Sequence, residues 1–244
     1  MAAVFYPSDE FELNIARGLV KGTSFVHKFG AVPALSNGAT GTVWDINDTL
    51  YPWATWDASG ATTLTADCGA PDVGNSIVIQ GLDADYNIIE ETVLLAAETG
   101  NVTTNSFLRV FRAYYINGGA INIGNINIKN GTTNVLRISA GFGQTLMAIY
   151  TVPAGYTAYL TKGTASNGPN EHHSCNMFVR YFGQPNFRVG HAFELTSGQY
   201  EYEFTVPLPI PEKSDIDVRA SQVAGNNKRV TAAFDMILIK NGLA

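Results

Sequence analysis

The chain has 244 residues, of which 24 are Gly and 10 are Pro, and only 15% are charged. Ordinary domains carry roughly 7% Gly and about 25% charge, so coiled coils and helical bundles, which need Glu, Lys, Arg, Ala and Leu in bulk, are disfavoured. A hydrophobic content of 45%, with 13 Phe, 11 Tyr and 3 Trp, argues against disorder, and a net charge of −6 leaves no broad basic face for nucleic acid.

The first two dozen residues differ from the rest. Ser8-Asp9-Glu10 precedes Phe11, Ile15 and Leu19, spaced at i, i+4 and i+8. This reads either as a short amphipathic helix capped at Ser8 and ended near Gly18 or Gly22, or as an extended arm. No basic n-region and no apolar h-region precede it, so no secretory leader is expected. With Phe5, Tyr6, Phe11, Ile15 and Leu19 apolar, an arm over residues 1–23 is costly to leave in water and is expected to bury on a partner.

From Ser24 onward the period is two. Strands are expected at Phe25 to Phe29, Thr42 to Ile46, Thr62 to Ala66, Ser76 to Leu82, Ile88 to Leu95, Phe107 to Ile116 and Ile121 to Lys129. Asp83 to Asn87 makes a polar hairpin loop, and Asn117-Gly118-Gly119 a turn. Asn130-Gly131-Thr132-Thr133-Asn134 is the next strong break, and a domain boundary is placed there. Further strands are expected at Val135 to Ser139, Thr145 to Val152, Thr157 to Thr161, Met177 to Phe182, Arg188 to Glu194, Glu201 to Val206, Asp215 to Ala220 and Arg229 to Ile239. Pro207, Pro209 and Pro211 read as a rigid connector. In the last strand Val230, Ala232, Phe234, Met236 and Leu238 form one apolar face, which puts Phe234 in a core and Asp235 outside it. Residues 138–161 carry no charge, but their Gly and Pro residues would leave backbone unpaired in lipid, so no membrane partner is expected. These spacings predict an all-β chain: two jelly-roll-like β-sandwich domains in series, over 24–133 and 134–244, behind the arm.

Candidate chemistry is sparse. Asp83-x-Asp85-x-Asn87 copies the opening of a calcium loop, but Ile88 and Leu94 stand where that loop needs Gly and Glu. His172, His173 and Cys175, with Glu171 and His191 nearby, are zinc-ligand types, yet neighbours on a strand face apart. The same objection applies to Glu90-Glu91 as a hydrolase pair. Cys68 and Cys175 read as free thiols. No enzyme, no metal and no cofactor is therefore expected. Trp44, Tyr51, Trp53 and Trp56 cluster within one short stretch and read either as core filling or as a sugar-stacking platform.

Val26-His27-Lys28-Phe29-Gly30 and Val43-Trp44-Asp45 resemble the N-terminal part of a family of tailed-bacteriophage virion structural proteins. The resemblance continues through Gln80-Gly81-Leu82-Asp83, Glu91-Thr92-Val93, 107–113, Gly124-Asn125-Ile126, 143–148, 150–155, 211–216 and 234–239, covering the chain from about residue 17 onward. The Gly pair that follows Val-Trp-Asp in the family is replaced here by Ile46-Asn47-Asp48. The resemblance implies a non-enzymatic capsid-decoration, neck or fibre component, resident in the virion after synthesis in the bacterial cytoplasm. Its partners would be itself, as a trimer or ring, and other virion proteins such as the major capsid or neck protein. A carbohydrate- or receptor-binding part of a phage tail or fibre is the alternative.

Overall fold

A computed structural model of the protein describes residues 11–116, 120–224 and 228–242. A six-residue helix α1 (Phe11–Ala16) leads into β1 (Thr23–Leu35) and β2 (Thr40–Thr42), and helix α2 (Trp53–Ser59) follows. Next come β3 (Thr65–Asp67), β4 (Ser76–Leu82), β5 (Ile88–Leu94), β6 (Asn101–Val102), β7 (Arg109–Ile116), β8 (Ile126–Asn130) and β9 (Thr133–Ile138). The chain ends with β10 (Ile149–Thr151), β11 (Tyr156–Asn167), β12 (His172–Arg180), β13 (Arg188–Thr196), β14 (Gln199–Ile210), β15 (Asp215–Ala224) and β16 (Lys228–Lys240). The Ser8 cap and the turn at Asn117-Gly118-Gly119 lie outside the described residues.

Among the described residues, all strand pairings are antiparallel, and they build four small blade-like sheets. Sheet I has the order β1-β16-β11-β14; sheet II is β10-β15-β12-β13 with β2 also on β15; sheet III is β6-β3-β8-β9; sheet IV is β5-β4-β7. One core lies between sheets I and II, lined by Val32, Leu160, Met177, Val218, Phe234 and Met236 among others. A second core joins sheets III and IV around Leu64, Ile79, Phe107, Ile128 and Leu136.

This arrangement overturns the expectation of two jelly-roll-like sandwiches in series. The first long strand pairs with the last, Thr23 opposite Ile239 and Val32 opposite Val230, so the chain's ends share sheet I. The break expected to separate two domains lies in the β8–β9 hairpin, where Asn130 pairs with Thr133 inside sheet III. Sheets III and IV are instead an insertion between β2 and β10. Where the chain leaves and returns, the Val43 N–H donates to the Val218 carbonyl (2.8 Å), Ala148 N–H to Val43 (2.9 Å) and Val218 N–H to Ala148 (3.1 Å). Gly30 of β1 passes against this stem so closely that a Cβ would stand 2.1 Å from the Val43 carbonyl oxygen.

Two local expectations change for physical reasons. Pro207 and Pro209 do not interrupt β14, because that strand sits at the edge of sheet I and pairs only with β11, where a missing N–H is tolerated. The Trp53–Ser59 stretch is helical, with its two buried Trp residues one turn apart, and it caps the second core. Among the described residues, no helix is long and apolar enough to cross a membrane.

Phe234 is 1% exposed, lies opposite Lys28 on one side and Gly163 on the other, and belongs to the core between sheets I and II. Asp235 points away and meets His27 across the sheet. Phe234→Ala is expected to lower unfolding free energy by about 3–5 kcal/mol, measured as a fall in the urea midpoint at unchanged slope.

Candidate functional site

Strand β15 has two faces of opposite character. Ile216, Val218 and Ala220 enter the core between sheets I and II, while Asp215, Asp217 and Arg219, at the alternate positions, face the insertion. There Asp215, 3% exposed, accepts from Thr151 Oγ1 (2.7 Å), Arg109 Nε (3.1 Å) and Arg180 Nη2 (2.6 Å). Arg109 and Arg180 each reach on to Asp57 of α2, at 3.0 and 2.5 Å. Asp57 and Arg109 come from the insertion, and Asp215 and Arg180 from sheet II, so four charges clamp the two parts together. Asp217, fully buried, repeats the motif by accepting from Thr42 Oγ1 (2.8 Å), Trp53 Nε1 (3.0 Å) and Arg219 Nε (2.8 Å).

The electrostatics follow from this geometry. Burial disfavours the Asp57 carboxylate, but the hydrogen bond and charge of Arg180 override it and hold the group below the usual carboxylate range. Burial likewise opposes the charge on Arg180, and Asp57 and Asp215 more than compensate. The guanidinium groups of Arg109 and Arg180 stand 5.7 and 5.6 Å from the Trp53 ring centroid, and Arg180 lies 5.0 Å from that of Phe187. In this seam Arg109, Arg180 and Asp215 are thus largely withdrawn from water, while Asp57 stands at the exposed rim.

The four aromatic residues considered as a sugar platform line this seam and the second core instead. Trp44, Tyr51, Trp53 and Trp56 are 2%, 3%, 6% and 0% exposed, so they offer no solvent-facing pair. Their polar atoms are satisfied internally: Trp44 Nε1 donates to the Thr49 carbonyl, Trp56 Nε1 to Tyr51 Oη, and Trp53 Nε1 to Asp217.

The other candidates are dispersed. Asp83 Oδ1 accepts from the backbone N–H of Asp85 and Asn87, which makes it a turn-former. Glu91 caps Thr104 and Asn105, while Glu90 accepts from Gln80. His172 pairs with Glu194, and His173 is buried against Asn167. His191 sits among Phe193, Tyr200, Tyr202 and Phe204. Cys68 and Cys175 are free thiols, and burial pushes the Cys175 thiol up to about 12. Among the described residues, no three His, Cys, Asp or Glu side chains gather as a metal ion requires.

Two groups of exposed apolar side chains lie outside the insertion, which carries others of its own at Ile88, Leu94, Ile116, Ile121, Ile123 and Phe142. On the arm, Phe11 and Leu19 are 51% and 62% exposed, whereas Ile15 is buried beside Phe25 and Ile237 of sheet I; Phe5 and Tyr6 lie outside the described residues. Along β13 and β14, one edge strand from each of the sheets that share the first core, the exposed large apolar residues are Val189, Tyr202 and Val206, the last at 80%. Phe193 and Tyr200 stack across that edge at 4.3 Å.

No protein-family model and no curated protein matches the chain. Among solved structures, that of infectious bursal disease virus Gx strain aligns over 91% of this chain and 72% of its own, at 10% identity and a TM-score of 0.27. The Gt strain aligns over 92% and 74%, at 10% identity and 0.27. The VP2 subviral particle of the same virus aligns over 91% and 73%, at 8% identity and 0.24. TM-scores of this size carry neither fold nor function across.

Asp215→Ala would remove the buried carboxylate shared by Arg109 and Arg180 and leave them only the rim carboxylate of Asp57, and is expected to cost about 3–5 kcal/mol. Asp57→Ala, at the solvent-facing rim, is expected to cost about 1 kcal/mol or less. Urea denaturation of both variants measures the contrast.

Lys28 supplies a pH test. It is 7% exposed, its ammonium group donates to the Phe111 carbonyl, and burial, with Arg112's charge adding, pushes its pKa down to about 7. A depressed lysine pKa favours folding above the unfolded value, and that contribution is lost as pH falls through the folded value. Lys28→Met is therefore expected to melt at higher temperature than the parent near pH 6, with the gap closing towards pH 10. A gap that is independent of pH would refute the assignment.

Proposed function

We propose that the chain is a non-enzymatic structural component of a tailed-bacteriophage virion, decorating or stabilising the capsid surface or neck as a trimer or ring. The observation that carries the reading is the exposed apolar edge formed by β13 and β14. Long open strands with exposed Val189, Tyr202 and Val206 are a liability for a lone molecule and an asset for one that packs against copies of itself. Pro207 and Pro209 have no N–H to offer an added strand, so contacts near them are made by side chains. The sequence resemblance supplies the particle, and closed symmetry is the default for such assemblies. Other copies of the chain and a capsid or neck protein are the partners in this reading, and the virion is the location. No residue is assigned to catalysis.

Light scattering is expected to give a trimer or a larger ring. Tyr202→Glu combined with Val206→Glu is expected to return folded monomers with the parent's far-UV circular dichroism and a melting temperature that no longer depends on concentration. Deleting residues 1–20, which removes the exposed Phe11 and Leu19, is expected to leave a folded chain that no longer enters particles. A parent chain that stays monomeric, or a deletion that still incorporates, excludes the corresponding role.

A further inference from the structure

The charge clamp forms one wall of an open cleft of about 330 Å³, through Asp57, Arg109, Arg180 and Asp215, and the loop after β12, the hairpin turn between β4 and β5 and the turn before β15 form the rest. We propose that this cleft binds one acidic sugar unit, a uronic or sialic acid residue. The proposal stands whether or not the chain assembles into a particle.

Tyr86 (φ 65°) and Lys213 (φ 61°) both take the left-handed conformation that favours Gly or Asn, and both line the cleft. Each position therefore carries a long side chain at a conformational cost of roughly 1 kcal/mol, and such outliers gather at ligand sites. The two side chains meet: Lys213 Nζ lies 5.6 Å from the Tyr86 ring centroid and 5.1 Å from that of Phe182.

Charge gives the ligand's sign. Among the described residues, the carboxylates of Asp57 and Asp215 are engaged by Arg109 and Arg180, and Lys213 has no carboxylate within ion-pair distance. A cation held against two aromatic rings is partly desolvated, which strengthens its attraction for an anion.

Shape and polarity give the class. Phe182 is 59% exposed and stands edge-on to Tyr86, with centroids 5.8 Å apart and planes at 82°. Lys213 Nζ sits against both rings of this corner, and the exposed Phe182 ring beside it offers a surface to the C–H face of a pyranose. Gln184 also lines the cleft, and the Asp57 side chain is 43% exposed and, beyond the three hydrogen bonds it accepts from Arg109 and Arg180, has room on Oδ2 to accept from one hydroxyl. A bare inorganic anion would leave the aromatic corner unused, whereas a neutral sugar would leave Lys213 unpaired. A few convergent polar groups on aromatic walls, in a cleft of this volume, make up a small-ligand site.

Ligand-observed NMR and calorimetry with glucuronic acid, N-acetylneuraminic acid, glucose, inorganic phosphate and an N-acetyl-glutamate peptide test the proposal. At least one acidic sugar is expected to bind with a dissociation constant of about 1 mM or tighter, and about tenfold more tightly than glucose, phosphate or the peptide. Lys213→Gln and Phe182→Ala are each expected to weaken it about tenfold at an unchanged melting temperature, and Lys213→Arg to retain most of the affinity. Failure of both acidic sugars to bind at about 20 mM overturns the proposal. Equal binding of phosphate would mark a plain anion site, and equal binding of the peptide a protein-docking site; either result overturns it. So does affinity that neither variant changes.

Discussion

Two carboxylates on one strand, Asp215 and Asp217, hold together parts of the chain that sequence order keeps far apart. Ion pairs removed from water are not stabilising by default, because desolvating each charge costs several kcal/mol. What offsets that cost here is saturation: Asp215 takes hydrogen bonds from a hydroxyl and two guanidinium groups, and Asp217 from a hydroxyl, an indole and a guanidinium. Hydrophobic packing alone could hold an insertion against a sheet in several sliding arrangements. Forked Arg–carboxylate pairs with fixed donor geometry accept far fewer. The clamp therefore fixes how sheets III and IV sit on sheet II, and the cleft beside it inherits that geometry.

The same strand explains why the two cores behave as neighbours. β15 gives its apolar face to one core and its charged face to the seam, and Trp53 bridges from the seam into the second core. A disturbance at Asp217 thus reaches both. Ile149 of β10 pairs with Asp217 in sheet II and is itself buried in the second core.

Local structure was largely readable from the residues, because period-two patterning responds to burial that each strand experiences by itself. Ser76 to Leu82 is a strand with those bounds, and the alternation around Phe234 gave the correct inward face. Partner choice was not readable. Nothing in the pattern of Phe25 to Phe29 says that its neighbour is the last strand, since a strand's periodicity records which face is buried and not what pairs with its edge. α2 was missed because seven residues dominated by two Trp give too short a window for a helical period. For the clamp a signal existed: Arg109 stands in an apolar run beside Val110 and Phe111, and Asp215 and Asp217 alternate with Ile216 and Val218. A lone charge at a position that burial demands is a flag for a buried partner, although its identity waits on the fold. Lys213 and Tyr86 carried no such flag, because a left-handed backbone at a non-glycine residue is invisible in composition.

The pairing of β1 with β16 has a consequence for synthesis. As the chain emerges in order from the ribosome, β1 and β2 appear first and have no lasting partner until residues 215–240 follow, almost the whole chain later. The insertion spanning β3 to β9 meets no such delay, since every pairing in sheets III and IV lies within it. Domains generally fold as units during translation, the earlier ones first, but here the middle of the chain is free to condense while its first segment waits. Until the final strand is released, that segment exposes the apolar face of β1, so chains cut short near their end would carry an open sheet edge ready to pair with another molecule.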